Sequence, residues 1–73
     1  MKGYIARDSD GTIWLYRSKP FKEGLYWVTN DVLELMCFLT EKEANDLLQG
    51  SVVEWSDTEP QEIELSITIK KNL

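Results

Sequence analysis

Histidine is absent from the 73 residues and cysteine occurs once, at Cys37. These two shortages remove most familiar catalytic chemistry. No Ser-His or Cys-His pair can be assembled, a lone thiol cannot form an internal disulfide, and a metal site would have to be built from carboxylates without the spaced Asp/Asn-Gly-Glu loop that calcium uses. No glycine-rich phosphate loop or paired-cysteine motif is present either. The expectation is a protein that is not an enzyme and carries no cofactor. Cys37 lies within VLELMCFL and is read as a small buried apolar residue rather than a nucleophile. A long apolar run is also missing. The opening MKGYIARDSD has no apolar stretch after its first basic residue, which predicts neither a secretory signal nor a membrane anchor. A reducing cytoplasm is the expected compartment, with no membrane partner.

Basic residues are scarce as well: eight against thirteen acidic ones, for a net charge of −5. Five of the eight (Lys2, Arg7, Arg17, Lys19 and Lys22) lie in residues 1 to 24 with three of the acids, so the remainder of the chain is strongly acidic. Contacts from Lys and Arg to phosphate, with counterion release, supply most of the affinity for a nucleic-acid backbone. Nucleic acid is therefore not an expected partner. The simplest account of the acids is a solvated surface.

What is present is aromatic. Trp14, Trp27 and Trp55 join three tyrosines in a chain that, at this length, buries only about 60% of the surface it exposes when unfolded. The sequence shows no repeat and no linker, so residues 1–73 are expected to form a single small domain. GYIAR, then DSDG, then TIWLYR reads as two strands joined by a turn, with Arg7, Asp8, Asp10 and Gly11 specifying it. SKPFKEG reads as a break, because Pro20 cannot donate to a ladder and Gly24 permits a turn. The third strand is expected from about Leu25 through Val28, a fourth in VLELMCFL, a fifth in VVEW and a sixth in IELSITIK, where Ile63, Leu65, Ile67 and Ile69 alternate with polar residues.

LTEKEANDLLQG carries the best local signal. Thr40 and Glu43 have capping-box spacing, Leu39 and Ala44 occupy staple positions, and Gly50 sits where a left-handed residue ends a helix. The pattern predicts a helix over about residues 41–49 whose apolar face is Ala44, Leu47 and Leu48. The predicted fold is α+β: a mainly antiparallel sheet of five or six short strands with that one helix on one face.

In IWLY, alternation puts Ile13 and Leu15 on one side and Trp14 and Tyr16 on the other, so both faces of this strand are apolar. A helix of two to three turns covers only one face. Tyr4, Trp14, Tyr16 and Trp27 are therefore candidates for an aromatic face in need of cover, unless strong sheet twist folds all the rings into a single core. A second copy of the chain is the expected cover, giving a two-fold homodimer with Trp14 and Tyr16 in its interface. A different protein on the same face is the alternative partner. Trp55, with Asp57 and Pro60, forms a candidate recognition rim. The candidate protein-binding residues are thus Trp14, Tyr16, Trp27 and Trp55.

The segment YIARDSDGTIWLYRSKP, Trp27, and EWSDTEPQEIEL together resemble the ends of small uncharacterised proteins encoded by bacteriophages and other mobile elements of gut bacteria. The resemblance spans about half the chain and matches least well over residues 40–49. It implies a genomic setting, which makes the expected cytoplasm that of a bacterial host cell; it assigns no functional residue. Two functions follow as expectations. One is a protein-interaction module acting through the aromatic face. The other is an acidic nucleic-acid mimic that inhibits a host defence or nucleic-acid-binding protein, with Glu54, Asp57, Glu59, Glu62 and Glu64 as its charges.

Overall fold

The computed structural model of the protein describes residues 2–30 and 35–64. Strands β1 (Lys2–Arg7), β2 (Ile13–Tyr16), β5 (Leu35–Leu39) and β6 (Gln61–Glu64) form one antiparallel sheet in the order β5-β2-β1-β6; β3 (Phe21–Glu23) and β4 (Tyr26–Val28) form a separate two-stranded hairpin. The only helix among the described residues is α1, Glu41–Leu47. The fold is α+β with mainly antiparallel strands, as the residue pattern predicts.

The first hairpin forms as its turn chemistry dictates. Gly11 N–H donates to the Asp8 carbonyl at 3.0 Å, Thr12 N–H donates to Oδ1 of Asp10 at 2.9 Å, and Gly11 takes φ +93°, open to glycine without strain. The resulting register sets Tyr4 opposite Tyr16, Ile5 opposite Leu15 and Ala6 opposite Trp14. One face therefore carries Ile5, Ile13 and Leu15, which meet Leu39, Ala44, Leu48 and Val53 in the first core, with Ile63 packed against it.

Helix α1 is a short element held at both ends. Glu43 N–H donates to Thr40 Oγ1 at 3.1 Å and Thr40 N–H donates to Glu43 Oε1 at 3.0 Å, the reciprocal capping box. At the far end Gln49 N–H donates to the Asp46 carbonyl at 3.3 Å and Gly50 N–H to the Asn45 carbonyl at 3.1 Å, a Schellman ending. Gly50 is left-handed as expected, but the left-handed turn starts one residue earlier, at Gln49, with φ +54°. The helix thus stops at Leu47, short of residue 49. Its buried stripe is Ala44 and Leu48, one turn apart, while Leu47 lies on the flank and is 40% exposed.

Arg7 joins three parts of this layer. Its guanidinium donates to the Val53 carbonyl at 2.9 Å, the Gly11 carbonyl at 2.9 Å and the Glu41 carboxylate at 2.8 Å. The hairpin turn, the start of the helix and the segment after it are thereby linked through one side chain. Glu41 is held below the ordinary carboxylate range by that guanidinium.

Four expectations need correction. VVEW is not a strand: Val53 points into the core, but Asp57 N–H donates to the Glu54 carbonyl at 3.1 Å and Glu54 N–H to Oδ2 of Asp57 at 3.0 Å, closing a turn instead. SKPFKEG is not only a break, since Phe21–Glu23 is a strand. The third expected strand starts at Tyr26, because Leu25 is in the Gly24-Leu25 turn. Cys37 is exposed, not buried; it stands on β5, the outermost strand of the sheet order among the described residues. The closing strand begins at Gln61, two residues before the expected start at Ile63; Leu65, Ile67 and Ile69 lie outside the described residues.

A left-handed residue with a Cβ costs about 1 kcal/mol, partly offset by the larger unfolded-state entropy that glycine brings. Gln49→Gly should therefore raise stability by about 0.5 kcal/mol, or roughly 2–4 °C in Tm. Gln49→Val should lower it by about 1 kcal/mol or more, since a β-branched residue is strained there. Chemical denaturation of both variants checks the pair of opposite signs.

Candidate functional site: an aromatic cleft beside a buried carboxylate

The second face of the main sheet carries Tyr4 and Ala6 from β1, Trp14 and Tyr16 from β2 and Phe38 from β5, as the register requires. Its cover comes from the same chain. Ala6, Tyr16 and Trp27 are buried together, with exposures of 1%, 3% and 5%, and Tyr4, Trp14 and Trp55 pack around them half-buried. All four candidate binding residues, Trp14, Tyr16, Trp27 and Trp55, thus meet in one cluster. The rings form a second core on the opposite side of the sheet from the first, so a single curled core is excluded. The premise of the homodimer expectation is also corrected: the aromatic face is covered by the β3–β4 hairpin and the Glu54–Asp57 turn, and Tyr16 lies beneath them.

The hairpin is fixed by polar contacts that its own geometry makes available. Gly24, with φ +63°, and Leu25 form a two-residue turn with glycine first, the type II′ pattern. In such a hairpin the residues flanking the turn form the hydrogen-bonded pair, so the next pair, Lys22 and Trp27, is non-hydrogen-bonded and directs its backbone groups outward. The Trp27 N–H donates to Oδ1 of Asp8 at 2.8 Å, and the Trp27 carbonyl accepts from the Tyr16 hydroxyl at 3.1 Å. The Leu25 carbonyl accepts from Ser9 Oγ at 2.8 Å and from Ser9 N–H at 3.2 Å. On the β3 side, Lys22 Nζ lies 5.3 Å from the Trp27 ring centroid and 4.3 Å from that of Trp55, and donates to the Trp55 carbonyl at 2.7 Å. The Trp27 Nε1–H is buried with no acceptor among the described residues.

Beside the docked hairpin lies a cleft of about 240 Å³ walled by Trp14, Tyr16, Tyr26 and Trp27, with Asp8 in its lining. Asp8 is 5% exposed and is the one charged side chain of that lining. Burial pushes its carboxyl up, the Trp27 N–H pulls it down, and the nearby Asp10 charge adds to the rise. The same burial, with the Asp8 charge, pushes the Tyr16 phenol up to about 12. Trp14 continues the apolar surface outward through an edge-to-face contact with Phe38, at 5.8 Å between centroids and 76° between planes. Phe38 is 56% exposed, Tyr26 51% and Leu25 61%.

Asp8 and Tyr26 are the site residues that sequence reasoning missed. A signal for Asp8 existed: Asp10 supplies the side chain that the turn needs, which leaves the first aspartate of DSDG without a turn role. Among the described residues, no group of three or more carboxylate or thiol side chains is placed to hold a metal ion, and no helix is long and apolar enough to cross a membrane. No protein-family model, curated protein or solved structure matches the chain.

Removing the Asp8 carboxylate leaves the buried Trp27 N–H unpaired, so Asp8→Ala should cost about 1–3 kcal/mol. Asp8→Asn keeps an oxygen acceptor and removes the charge. Because the folded state raises the Asp8 pKa, its favourable contribution is complete below the unfolded value and is lost as pH rises through the folded one. Denaturation of Asp8→Asn and wild type side by side should show the difference shifting in favour of the variant over that rise. A variant as damaging as Asp8→Ala at neutral pH would contradict this. Wild-type stability should also fall from about pH 10 toward pH 12 as unfolded Tyr16 ionises first.

Proposed function

We propose that this chain is a small protein-interaction module that engages a partner protein through the aromatic side of its sheet. The observation that carries the reading is the run of exposed apolar surface from Leu25 and Tyr26, past the cleft and Trp14, to Phe38, while among the remaining described rings only Phe21 is exposed. Contiguous exposed apolar surface of this kind marks interaction sites in soluble proteins. Tyr and Trp at its centre supply large contact area at low side-chain entropy cost, which is why they recur as interface hot spots. The resemblance of the chain ends to proteins of phages and mobile elements of gut bacteria, together with the lone thiol, favours the bacterial cytoplasm as the setting, with a host or phage protein as partner.

The nucleic-acid mimic is less well supported, because its acids already have local roles. Asp57 closes the turn at Glu54, Glu59 pairs with Lys19 at 2.8 Å and Glu62 with Lys2 at 3.4 Å. These pairs are exposed, so Glu59→Gln and Glu62→Gln should each change stability by no more than about 0.5–1 kcal/mol.

Affinity capture from a bacterial lysate, followed by titration of the purified captured protein, tests the reading. Tyr26→Ser with Phe38→Ser should weaken binding about tenfold or more, as truncation of interface anchors does. Leu47→Ser with Val52→Ser, exposed residues of the helix and the segment after it, should leave it unchanged. Equal binding by both double variants would overturn the module, and loss of binding only on neutralising Glu59 and Glu62 would establish the mimic. Sedimentation equilibrium of the chain alone shows whether the partner on this strip is a second copy.

A further inference from the structure

Asp8 is a buried carboxylate with no cationic partner among the described residues. Arg7, its neighbour in sequence, spends its guanidinium on Val53, Gly11 and Glu41. Burying an ionised carboxylate away from water is costly unless it is paired, and the Trp27 N–H and the Trp14 indole N–H, both neutral donors, fill only about half of its roughly four acceptor sites. Around it stand four aromatic rings, whose negative faces attract cations within about 6 Å. The molecule already uses that attraction once, where the Lys22 ammonium rests on Trp27 and Trp55.

From this we infer that the cleft receives the ammonium or guanidinium head of a Lys or Arg side chain presented by the partner protein. The inference rests on the interaction-module reading and names what that surface recognises. Size favours a side chain over a free ligand: about 240 Å³ is below the range of roughly 300–1,000 Å³ usual for small-molecule pockets, yet ample for one head group. The flanks fit as well. Tyr26 and Phe38 offer apolar surface to the methylene stem of such a side chain, which buries its carbons while its charge seeks a partner. The net charge of −5 favours approach of a basic surface.

Nα-acetyl-lysine methylamide, its neutral counterpart Nα-acetyl-norleucine methylamide, and n-butylammonium are titrated into the full chain, following the Trp14 and Trp27 indole N–H resonances. The expected result is saturable binding of the lysine derivative about tenfold tighter than the norleucine one, the preference that a charge-assisted hydrogen bond confers. Asp8→Asn, which keeps the acceptor for Trp27, should abolish the preference. Equal binding of the two derivatives to the wild type overturns the inference, whatever the variant does. So does a preference that survives Asp8→Asn, or binding of n-butylammonium without binding of the lysine derivative, which would mark a site for free amines. Loss of the lysine preference with partner capture intact defeats this inference alone. Capture insensitive to Tyr26→Ser and Phe38→Ser defeats the module reading beneath it.

Discussion

The backbone of Trp27 is held between two side chains of the main sheet, the Asp8 carboxylate on its N–H and the Tyr16 hydroxyl on its carbonyl. A hairpin of two three-residue strands has no independent stability in water. Its middle pair leaves backbone groups pointing outward, and those groups find partners in the sheet behind them. Docking then places the Trp27 ring over Ala6 and Tyr16, the kind of large-ring burial whose truncation costs about 3–5 kcal/mol. The hydrogen bonds set position, and the ring supplies most of the driving force.

That one attachment explains why a short chain can afford two apolar sheet faces. The helix layer closes one face through Ala44 and Leu48, with Arg7 linking its edges. The hairpin closes the other, with Lys22 and Trp55 extending the cover. The arrangement also leaves a negative charge under a ring of aromatics, because the carboxylate that docks the hairpin lies at the cleft. The structural role and the proposed binding role thus fall on the same residue, and the charge that weakens the fold slightly at neutral pH is the one on which the proposed ligand preference rests.

Much of this was legible in the sequence where a local rule acts alone. The DSDG turn, the Thr40–Glu43 capping box and the alternation in IWLY each specify their element without outside help. That Trp14 and Tyr16 share a face was also legible, since alternation put them there, but the gathering of Trp27 and Trp55 around them, with Tyr16 and Trp27 buried, was not. What could not be read was the cover. Phe21–Glu23 has three exposed residues and no periodic signal, so only the glycine-first turn after it hinted at a hairpin. The docking contacts between Asp8 and Trp27 span 19 residues, and no pattern within either segment announces them. Similarly, VVEW has strand-like composition, but Asp57 captures the Glu54 N–H and turns the chain before pairing can begin. Cys37 misled because an apolar run does not show which of its residues an outermost strand leaves open.

Amide hydrogen exchange at Trp27 tests the central claim most directly, namely that the aromatic face is closed by this chain's own hairpin. The account predicts that this N–H, buried on the Asp8 carboxylate, exchanges far more slowly than that of Lys22, the exposed residue paired with it in the same hairpin, with a protection independent of protein concentration. Exchange of Trp27 as fast as that of Lys22, or protection that appears only as concentration rises, would contradict it and return the cover to a second molecule.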